Sequence, residues 1–255
     1  MKDSSEYGAK LKKLCNRLRR SGGKAEVWEG QDIVTEILLA CLSVYTTESK
    51  ARTALSKLRS SCVDYNELRV HRVSEVMEIL GKNFPYSRDA TKQLLALLQS
   101  VYDKEDCLDL EHLRGMGKRE GKAYLESLDR ASAYMVSRVT LFGLGGHAFP
   151  INEQMLTMLR EEEVVDKNAV EAEVQGFLER HITASRINKV YALLRRHADE
   201  FKPSKGRSVT KKKAVSKKKS STKNTAKKVT KKKAVNSSKK TSGKKTKRKA
   251  AKKKP

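Results

Sequence analysis

The sequence predicts an all-α body followed by a polybasic tail, and three observations lead to this prediction. Apolar residues recur at intervals of three and four over most of residues 1–202, which is the spacing of one helix face. Alternating apolar and polar residues, the pattern of a strand, do not recur. Charge is uneven, because residues 203–255 hold 24 of the 56 basic residues and none of the 30 acidic ones. The remaining 202 residues are nearly neutral and can form one domain or two small lobes.

Each predicted helix of the body has its own apolar stripe. The first two stripes are separated by the polar connection 46–48, the third ends at Gly81, and the fourth follows Pro85. The apolar run 136–144 does not decide between helix and strand by periodicity alone. The inward positions are Ile33, Ile37, Leu38, Cys41 and Leu42; Ala54, Leu55 and Leu58; Val73, Val76, Met77 and Leu80; Ala90, Leu94, Leu97, Leu98 and Val101; Val170, Val174, Phe177 and Leu178; and Ile187, Val190, Tyr191 and Leu194.

The tail consists mainly of Lys, Ser, Thr and Ala, and the segment VTKKKAV occurs twice, starting at Val209 and at Val229. Without large apolar side chains to bury, we predict that residues 203–255 are disordered. Clustered lysines suit a polyanion, so we predict sequence-independent binding to double-stranded DNA that weakens with salt. A solubilising or targeting extension, acidic proteins and anionic lipid are the alternatives. The lysines that define the two repeats are Lys211, Lys212, Lys213, Lys231, Lys232 and Lys233.

Cysteine spacing and hydropathy exclude several classes of protein. Cys15, Cys41, Cys62 and Cys107 are far apart and form no CxxC pair, so we expect neither a disulfide framework nor a zinc site. The first residues lack the apolar core of a secretory signal. The run 33–44 is too short to span a bilayer. We therefore expect an intracellular protein without a bound metal.

Three segments of the body together resemble a known family. They are IVTEILLACLSVYTTESKARTALSKL (33–58), PYSRDATKQLLALL (85–98) and LESLDRASAYMVSRVTLFGLGGHAFPINEQMLTML (125–159). Their order and spacing resemble the helix-hairpin-helix base-excision DNA glycosylases, the superfamily of endonuclease III and the adenine glycosylases. The resemblance implies a two-lobed all-α body over residues 30–202. Residues 1–29 are then an N-terminal extension packed on that body, and 203–255 remain the tail.

The resemblance also implies a hairpin and two catalytic positions. The family's hairpin reads L-P-G-(V/I)-G, and its glycines allow a tight turn whose backbone amides face a DNA phosphate. The helix after it begins with a lysine in bifunctional enzymes, where the amine attacks the sugar, and with Tyr or Ser in monofunctional ones. About eighteen residues later, an Asp at a helix N-terminus serves the reaction on a flipped nucleotide.

Two registers place this pattern on the chain. In the first, Leu113–Gly117 is the hairpin and Arg119 takes the lysine position, but Arg119 is 33 residues from Asn152. In the second, Leu128–Ser132 is the hairpin and Tyr134 takes the lysine position, 18 residues before Asn152. We favour the second register because helix length and lobe geometry are harder to change than two glycines.

The second register departs from the family at both centres. Arg130 and Ser132 replace the hairpin glycines, so the phosphate contact passes to the Arg130 side chain. Tyr134 removes the lyase amine, which is compatible with a monofunctional enzyme. Asn152 replaces the Asp, and an amide is neither a base nor a charge at neutral pH. The cysteine loop that binds a four-iron four-sulfur cluster in many relatives is absent, so we expect no cofactor.

Each candidate residue also has a structural interpretation. Asn152 is well placed to cap the following helix, and Glu153, which could replace the missing Asp, is well placed for the helix macrodipole. Tyr134 is either at the site or in the core. Tyr45 lies where relatives often have a DNA-probing Gln, or it packs inside. His147 either contacts phosphate or is simply solvated.

Two functions from different classes follow from the resemblance. The first is a base-excision-repair protein, monomeric, that acts on damaged DNA with the tail as an anchor. The second is a non-catalytic protein on the same scaffold that recognises lesions or organises DNA in a histone-like way. Either function implies the nucleoid of a bacterium or the nucleus of a eukaryote as its location.

Overall fold

The computed structural model describes residues 4–21 and 28–202. These ranges contain eleven α-helices, one 3-10 helix and no β-strand, so the predicted all-α body is confirmed. The helices are α1 (Ser4–Arg20), α2 (Ile33–Ser43), α3 (Glu48–Ser61), α4 (Tyr65–Val70), α5 (Val73–Leu80), α6 (Ser87–Glu105), α7 (Lys118–Glu126), α8 (Ala133–Phe142), α9 (Glu153–Glu161), α10 (Glu171–His181) and α11 (Ala184–Glu200), with a 3-10 helix (Glu111–Arg114) before α7.

Two hydrophobic cores divide the body into lobes. The first core is formed by α2 to α7 and the N-terminal part of α8. The second is formed by α1, α9, α10, α11 and the end of α8. Helix α8 therefore belongs to both, and only its first residue is exposed. The two-lobed arrangement expected from the resemblance is confirmed.

Side-chain caps define where several helices begin. Asp32 accepts a hydrogen bond from the Thr35 amide at 2.8 Å at the start of α2. Asp64 does the same for α4, accepting from the Glu67 amide at 2.8 Å. Such caps satisfy amides that have no partner within the helix. Helix α2 is buried along its whole length, Glu36 included, so its start and orientation are set by the packed core around it.

The segment that periodicity left undecided is helical, and the N-terminal extension contains a helix. The apolar run 136–144 is the greater part of α8, with Gly143 as its C-cap. The N-terminal extension contributes α1, whose residues Leu11, Leu14 and Leu18 are buried in the second core. Within the described ranges, no helix is both long enough and apolar enough to cross a bilayer. The predicted tail lies outside the described residues.

Candidate functional site

The turn between α7 and α8 is the hairpin of the second register. Arg130 adopts a left-handed backbone conformation with a φ of 58°, which costs a side-chain-bearing residue about 1–2 kcal/mol. Its carbonyl accepts a hydrogen bond from Gln93 Nε2 of α6 at 3.0 Å, and its side chain is exposed. Ser132 caps α8 by accepting a hydrogen bond from the Met135 amide at 3.2 Å. The turn thus forms without glycine and presents a cation to solvent.

The glycines of the first register adopt ordinary backbone conformations. Gly115 has a φ of −80° and Gly117 a φ of −60°, values that any residue adopts. They precede α7, and Arg119 lies exposed in the first turn of that helix. The left-handed turn that joins two helices therefore lies at Arg130 and not at these glycines.

Tyr134 is the second residue of α8 and is 3% exposed. Its hydroxyl lies 3.1 Å from Ser43 Oγ and 3.2 Å from the Tyr191 hydroxyl. It also accepts a hydrogen bond from Arg195 Nη1 at 3.1 Å. A phenol has one donor and two acceptor sites, so three partners use its full hydrogen-bonding capacity inside the protein.

Asn152 is the N-cap of α9 and is 4% exposed. Its Oδ1 accepts a hydrogen bond from the Met155 amide at 3.0 Å, and its Nδ2 donates to the Val44 carbonyl at 3.5 Å. The amide is therefore engaged by the helix and by the lobe opposite. Glu153, the first residue of α9, has an exposed side chain and is the nearest carboxylate along the chain.

The C-terminal end of α2 brings the two predicted positions together. Tyr134 reaches Ser43, and Asn152 reaches the next residue, Val44. Tyr45 follows, and its ring lies 5.4 Å from that of Tyr86. Residues 43–45 therefore connect α8, α9 and the start of α6. The 18-residue spacing does bring its two ends to one place, but that place is buried.

Two buried arginines fill the region between the lobes. Arg138 of α8 donates to both carboxylate oxygens of Glu48, at 3.0 and 2.7 Å, and its Nε lies 3.3 Å from Glu36 Oε2. Arg195 of α11 lies 2.9 Å from the Asp199 carboxylate. Both guanidinium groups are fully buried. Pairing of this kind is required, because an unpaired buried charge is strongly destabilising.

The same network ties the second lobe to the first. Arg195 also donates to the carbonyl of Ser43, the last residue of α2, and to that of Thr46 in the following connection. Asp199 accepts a hydrogen bond from the Glu48 amide, the first residue of α3, at 2.8 Å. Helix α11 is thus bonded to the end of α2 by the fully buried Arg195 and to the start of α3 by the mostly buried Asp199. We call Glu36, Glu48, Arg138, Arg195 and Asp199 the inter-lobe network.

The pKa values of the carboxyl groups reflect their different surroundings. Burial alone would raise the pKa of Glu48, but the Arg138 guanidinium outweighs it and holds that pKa below its ordinary value. Burial raises the pKa of Asp199, and Arg195 offsets this only in part. Glu48 is therefore the acid whose charge the network stabilises most clearly.

Tyr45 is half-buried, and its partner Tyr86 is 62% exposed. Tyr86 precedes α6 in a left-handed conformation with a φ of 51°. Such a conformation is rare for a bulky residue, and strained residues cluster at functional positions. The two rings form an aromatic surface at the N-terminal end of α6, the helix that also contacts the hairpin turn through Gln93.

The remaining predicted residues do not join this cluster. The His147 side chain is exposed, and its Nε2 lies 2.9 Å from the Ile182 carbonyl, in the turn between α10 and α11. That contact belongs to the second lobe and not to the hairpin. The six tail lysines, Lys211 to Lys213 and Lys231 to Lys233, lie outside the described residues. Within the described ranges, no three His, Cys, Asp or Glu side chains are grouped to hold a metal.

Comparison with solved structures identifies the fold. A trapped endonuclease III–DNA covalent intermediate superposes with a TM-score of 0.59 at 10% identity, over 74% of this chain and 85% of that one. The Clostridium acetobutylicum 8-oxoguanine glycosylase/lyase, in complex with double-stranded DNA containing cytosine opposite 8-oxoguanine, gives 0.58 at 13% identity, over 78% of this chain and 71% of that one. The H. pylori 3-methyladenine DNA glycosylase MagIII, bound to 1,N6-ethenoadenine, gives 0.55 at 14% identity, over 78% of this chain and 98% of that one. The chain has the helix-hairpin-helix glycosylase fold.

At the level of sequence, no protein-family model matches this chain, and no curated protein matches it. The family resemblance that the three segments predicted is confirmed at the level of the fold, by the solved structures described above.

The inter-lobe network is the part of this glycosylase fold that sequence reasoning missed. Arg138 lies inside the apolar run 136–144 and Glu36 inside the apolar run 33–44. A charge within an otherwise buried helix indicates a buried partner of opposite charge, and that signal was present in both runs. Arg195 and Asp199 gave no such signal, because α11 carries other charged residues on its exposed face.

Proposed function

We propose that this protein binds duplex DNA through the hairpin side of a glycosylase scaffold and does not admit a nucleotide between its lobes for excision. The observation that carries this proposal is the burial of Tyr134 and Asn152, with their side-chain groups bonded to the protein itself. Excision on this fold requires a flipped nucleotide between these two positions. In this structure, the polar groups of both side chains are bonded to other residues of the protein.

Three features support DNA binding. Three solved structures that share the fold are an endonuclease III–DNA covalent intermediate, an 8-oxoguanine glycosylase/lyase in complex with double-stranded DNA, and a 3-methyladenine DNA glycosylase bound to a modified base. Arg130 projects from the hairpin turn, where no acidic side chain pairs with it among the described residues. Tyr45 and Tyr86 form an aromatic surface suited to stack against an exposed base. A damaged or mispaired base, which is already poorly stacked, is the natural target of such a surface.

The chemistry of the two positions also favours binding over excision. Asn152 offers an amide where an oxocarbenium ion needs a negative charge. The Tyr134 hydroxyl accepts a hydrogen bond from a buried arginine, which leaves it without a role toward substrate. The Asn152 amide cannot act as a general base.

A second candidate function is base excision with Glu153 as the carboxylate. Its side chain is exposed and follows Asn152 directly. For this carboxylate to act, the lobes must part and Asn152 must release the Val44 carbonyl. This candidate is monofunctional, because no lysine stands at the position of Tyr134.

One experiment separates the two candidates. The full chain is incubated with duplexes carrying uracil, oxidised purines, alkylated bases, mismatched adenine or an abasic site, and strand breaks are measured before and after alkali. We expect binding by fluorescence anisotropy and no break above background. Excision that is lost in Glu153→Ala would establish the second candidate and refute the first.

A matched pair of variants tests where DNA lies. Arg130 and Arg119 are both exposed arginines without an ion pair among the described residues. Arg130 lies in the hairpin of the second register, and Arg119 takes the lysine position of the first. We expect Arg130→Ala to weaken duplex binding by roughly fivefold to tenfold, the effect of one charge-assisted phosphate contact, and Arg119→Ala to change it less than about twofold. The reverse order of effects would refute the hairpin placement.

The tail is tested by its salt dependence. We propose that residues 203–255 neutralise DNA phosphates, and each neutralised phosphate adds close to one unit to the slope of log affinity against log salt. Deleting the tail should lower affinity and flatten that slope on every duplex tested, while the preference for damaged over intact DNA stays the same. An unchanged slope would remove the tail from the DNA interface.

A further inference from the structure

A groove separates α1 from the turn between α10 and α11 in the second lobe. Its volume is about 300 Å³. One wall is formed by α1 and the other by the end of α10 and the first turns of α11. The charged and reactive side chains that line it include Lys12, Cys15 and Arg19 on the first wall and His181 and Arg186 on the second, and Asn16 and Thr183 are its uncharged polar residues.

The spacing of α1 explains why these residues share one face. Gly8, Lys12, Cys15 and Arg19 recur at intervals of four, three and four, which aligns them along a helix. A Cβ added at Gly8 would lie 2.8 Å from two atoms of the His181 ring. Glycine therefore allows this end of α1 to approach the opposite wall closely, which closes one end of the groove.

Two cations of α1 outside the groove have acidic partners, whereas Lys13 and Arg20, like the groove cations, form no ion pair within the described residues. The groove cations are distinguished by their position on facing walls. Lys10 pairs with Glu6 at 2.9 Å, and Arg17 pairs with Glu162 at 2.6 Å. Within residues 4–21 and 28–202, no ion pair is formed by the three groove cations, which are Lys12, Arg19 and Arg186. The two walls thus bring like charges toward one another, and no carboxylate among the described residues pairs with them, an arrangement that favours an external anion.

Cys15 lies between two of these cations. Burial raises the pKa of its thiol, while the positive charges of Arg19 and Arg186 act in the opposite direction. Arg19 on one wall and Arg186 on the other line the same groove as this cysteine. The thiol is 7% exposed and lines the groove, so it can report what enters.

We propose that this groove binds phosphate groups, held by Lys12, Arg19 and Arg186. Guanidinium groups match the geometry of phosphate oxygens and form charge-assisted hydrogen bonds with them. The groove is separate from the inter-lobe network, since Arg186 and Arg195 are nine residues apart on α11, about 13 Å along its axis. The phosphates come either from a free nucleotide or polyphosphate, or from the backbone of a nucleic acid.

Alkylation of the cysteines in the full chain tests the proposal at the groove itself. Iodoacetamide labelling of each cysteine is followed by mass spectrometry of its peptide, with and without sodium tripolyphosphate. We expect tripolyphosphate to slow labelling of Cys15 about tenfold, because the anion covers the thiol and opposes its ionisation. Labelling of exposed Cys107 should not change, and buried Cys41 should stay unlabelled as a check of folding.

Two triple variants of equal charge make the test specific. The groove variant is Lys12→Ala, Arg19→Ala and Arg186→Ala, and the control is Lys13→Ala, Arg20→Ala and Lys189→Ala, which removes three exposed cations beside the groove. Protection of Cys15 should be lost in the groove variant and kept in the control. No protection in the wild type, or equal protection in both variants, would overturn the proposal. If Cys41 becomes labelled in the groove variant, that variant is not correctly folded, and the single variant Arg186→Gln is used in its place. Weakened protection of Cys15 in Arg186→Gln then supports the proposal, and unchanged protection overturns it.

Further arms identify the source of the phosphate. Protection of Cys15 by a short DNA duplex, lost in the groove variant, assigns the groove to the nucleic-acid backbone. Protection by ATP and tripolyphosphate but not by the duplex assigns it to a free nucleotide. The variant Arg130→Ala should leave protection by tripolyphosphate unchanged. The phosphate groove and the proposed DNA-binding function therefore fail independently.

Discussion

Arginine occupies two opposite environments in this protein. In the inter-lobe network, Arg138 and Arg195 are fully buried, and each lies against a carboxylate at 3.0 Å or less. At the hairpin turn and in the groove beside α1, Arg130, Arg19 and Arg186 are exposed and lack an ion pair within the described ranges. Arginine side chains therefore join the lobes in one region, whereas in the other they are exposed and unpaired among the described residues.

The difference separates arginines that are already paired within the protein from arginines that are free to contact a ligand. A buried ion pair is satisfied by its own protein, and opening it exposes charges that were desolvated at a cost of several kcal/mol each. Exposed, unpaired cations lose little when they exchange water for phosphate. The paired arginines of the inter-lobe network are therefore structural, and the exposed cations are the ones that we propose bind phosphate.

The strongest test of this contrast is Arg138→Met. The change removes the charge but keeps an unbranched side chain. It leaves Glu36 buried without this partner, and it leaves Glu48 with only Arg52, whose Nη2 lies 3.0 Å from the carboxylate. We expect the free energy of unfolding to fall by about 3–5 kcal/mol, measured by urea denaturation at neutral pH. The matched change Arg19→Met on the surface should cost less than about 0.5 kcal/mol. Similar costs at the two positions would erase the distinction.

A second test removes the Tyr134 hydroxyl, which accepts a hydrogen bond from Arg195 of the inter-lobe network. Tyr134→Phe loses the contacts with Ser43, Tyr191 and Arg195 while the ring remains. We expect the free energy of unfolding, measured by urea denaturation, to fall by about 1–2 kcal/mol. The reason is that the hydroxyl's hydrogen bond with the buried, charged Arg195 is lost together with its other contacts. DNA affinity should stay the same, since this tyrosine lies inside. A large loss of DNA affinity with unchanged stability would instead place Tyr134 at a ligand.

Much of the fold could be predicted from sequence because helix faces leave a regular trace. The apolar stripes of α2, α3, α5, α6, α10 and α11 each matched a helix. One predicted inward position was wrong, because Val170 is the N-cap of α10 and is 57% exposed. Helix α7 left little trace, since its only buried residues are Gly121 and Leu125. The hairpin turn was found by its spacing and not by its chemistry, because Arg130 holds a conformation that normally indicates glycine.

The interior of the candidate site was harder to predict than its outline. The 18-residue spacing correctly brought Tyr134 and Asn152 to the end of α2. Spacing could not show that Arg195, 61 residues beyond Tyr134, reaches the same hydroxyl. Contacts between distant segments depend on the packing angle of α11, which no local pattern encodes. Whether a predicted site is open or filled therefore depends on the part of the structure that sequence specifies least directly.

The pH dependence of stability tests the buried side of the contrast with a smaller effect. The pKa of Glu48 is below its ordinary value of 4.5 in the folded state. Its contribution is therefore complete above that value and is lost as the pH falls through the folded-state pKa. In Glu48→Gln, the decline of unfolding free energy with acid should be shallower by up to about 1.4 kcal/mol per pH unit, the effect of one proton.

The control for this measurement lies in the same network. Asp199 has a raised pKa, so its contribution is present below its ordinary value of 3.8 and is lost as the pH rises through its folded-state pKa. Asp199→Asn should therefore change the slope of the same curve in the opposite direction. Urea denaturation over a series of acidic pH values measures both. Equal slopes in Glu48→Gln and the wild type would show that the Arg138–Glu48 pair does not favour the charged carboxylate.

The smallest expected effect lies at the hairpin turn, where stability and binding should move in opposite directions. Arg130→Gly relieves the left-handed conformation, and the gain of about 1–2 kcal/mol is partly offset by the flexibility of glycine in the unfolded chain. We expect a net gain of about 0.5–1 kcal/mol in urea denaturation, together with weaker duplex binding in fluorescence anisotropy. Arg130→Ala keeps the strained backbone, so it should lose the same affinity without gaining stability. If Arg130→Gly bound DNA as tightly as the wild type, backbone amides would make the phosphate contact, and the exposed guanidinium would not be the binding group that its unpaired charge suggests.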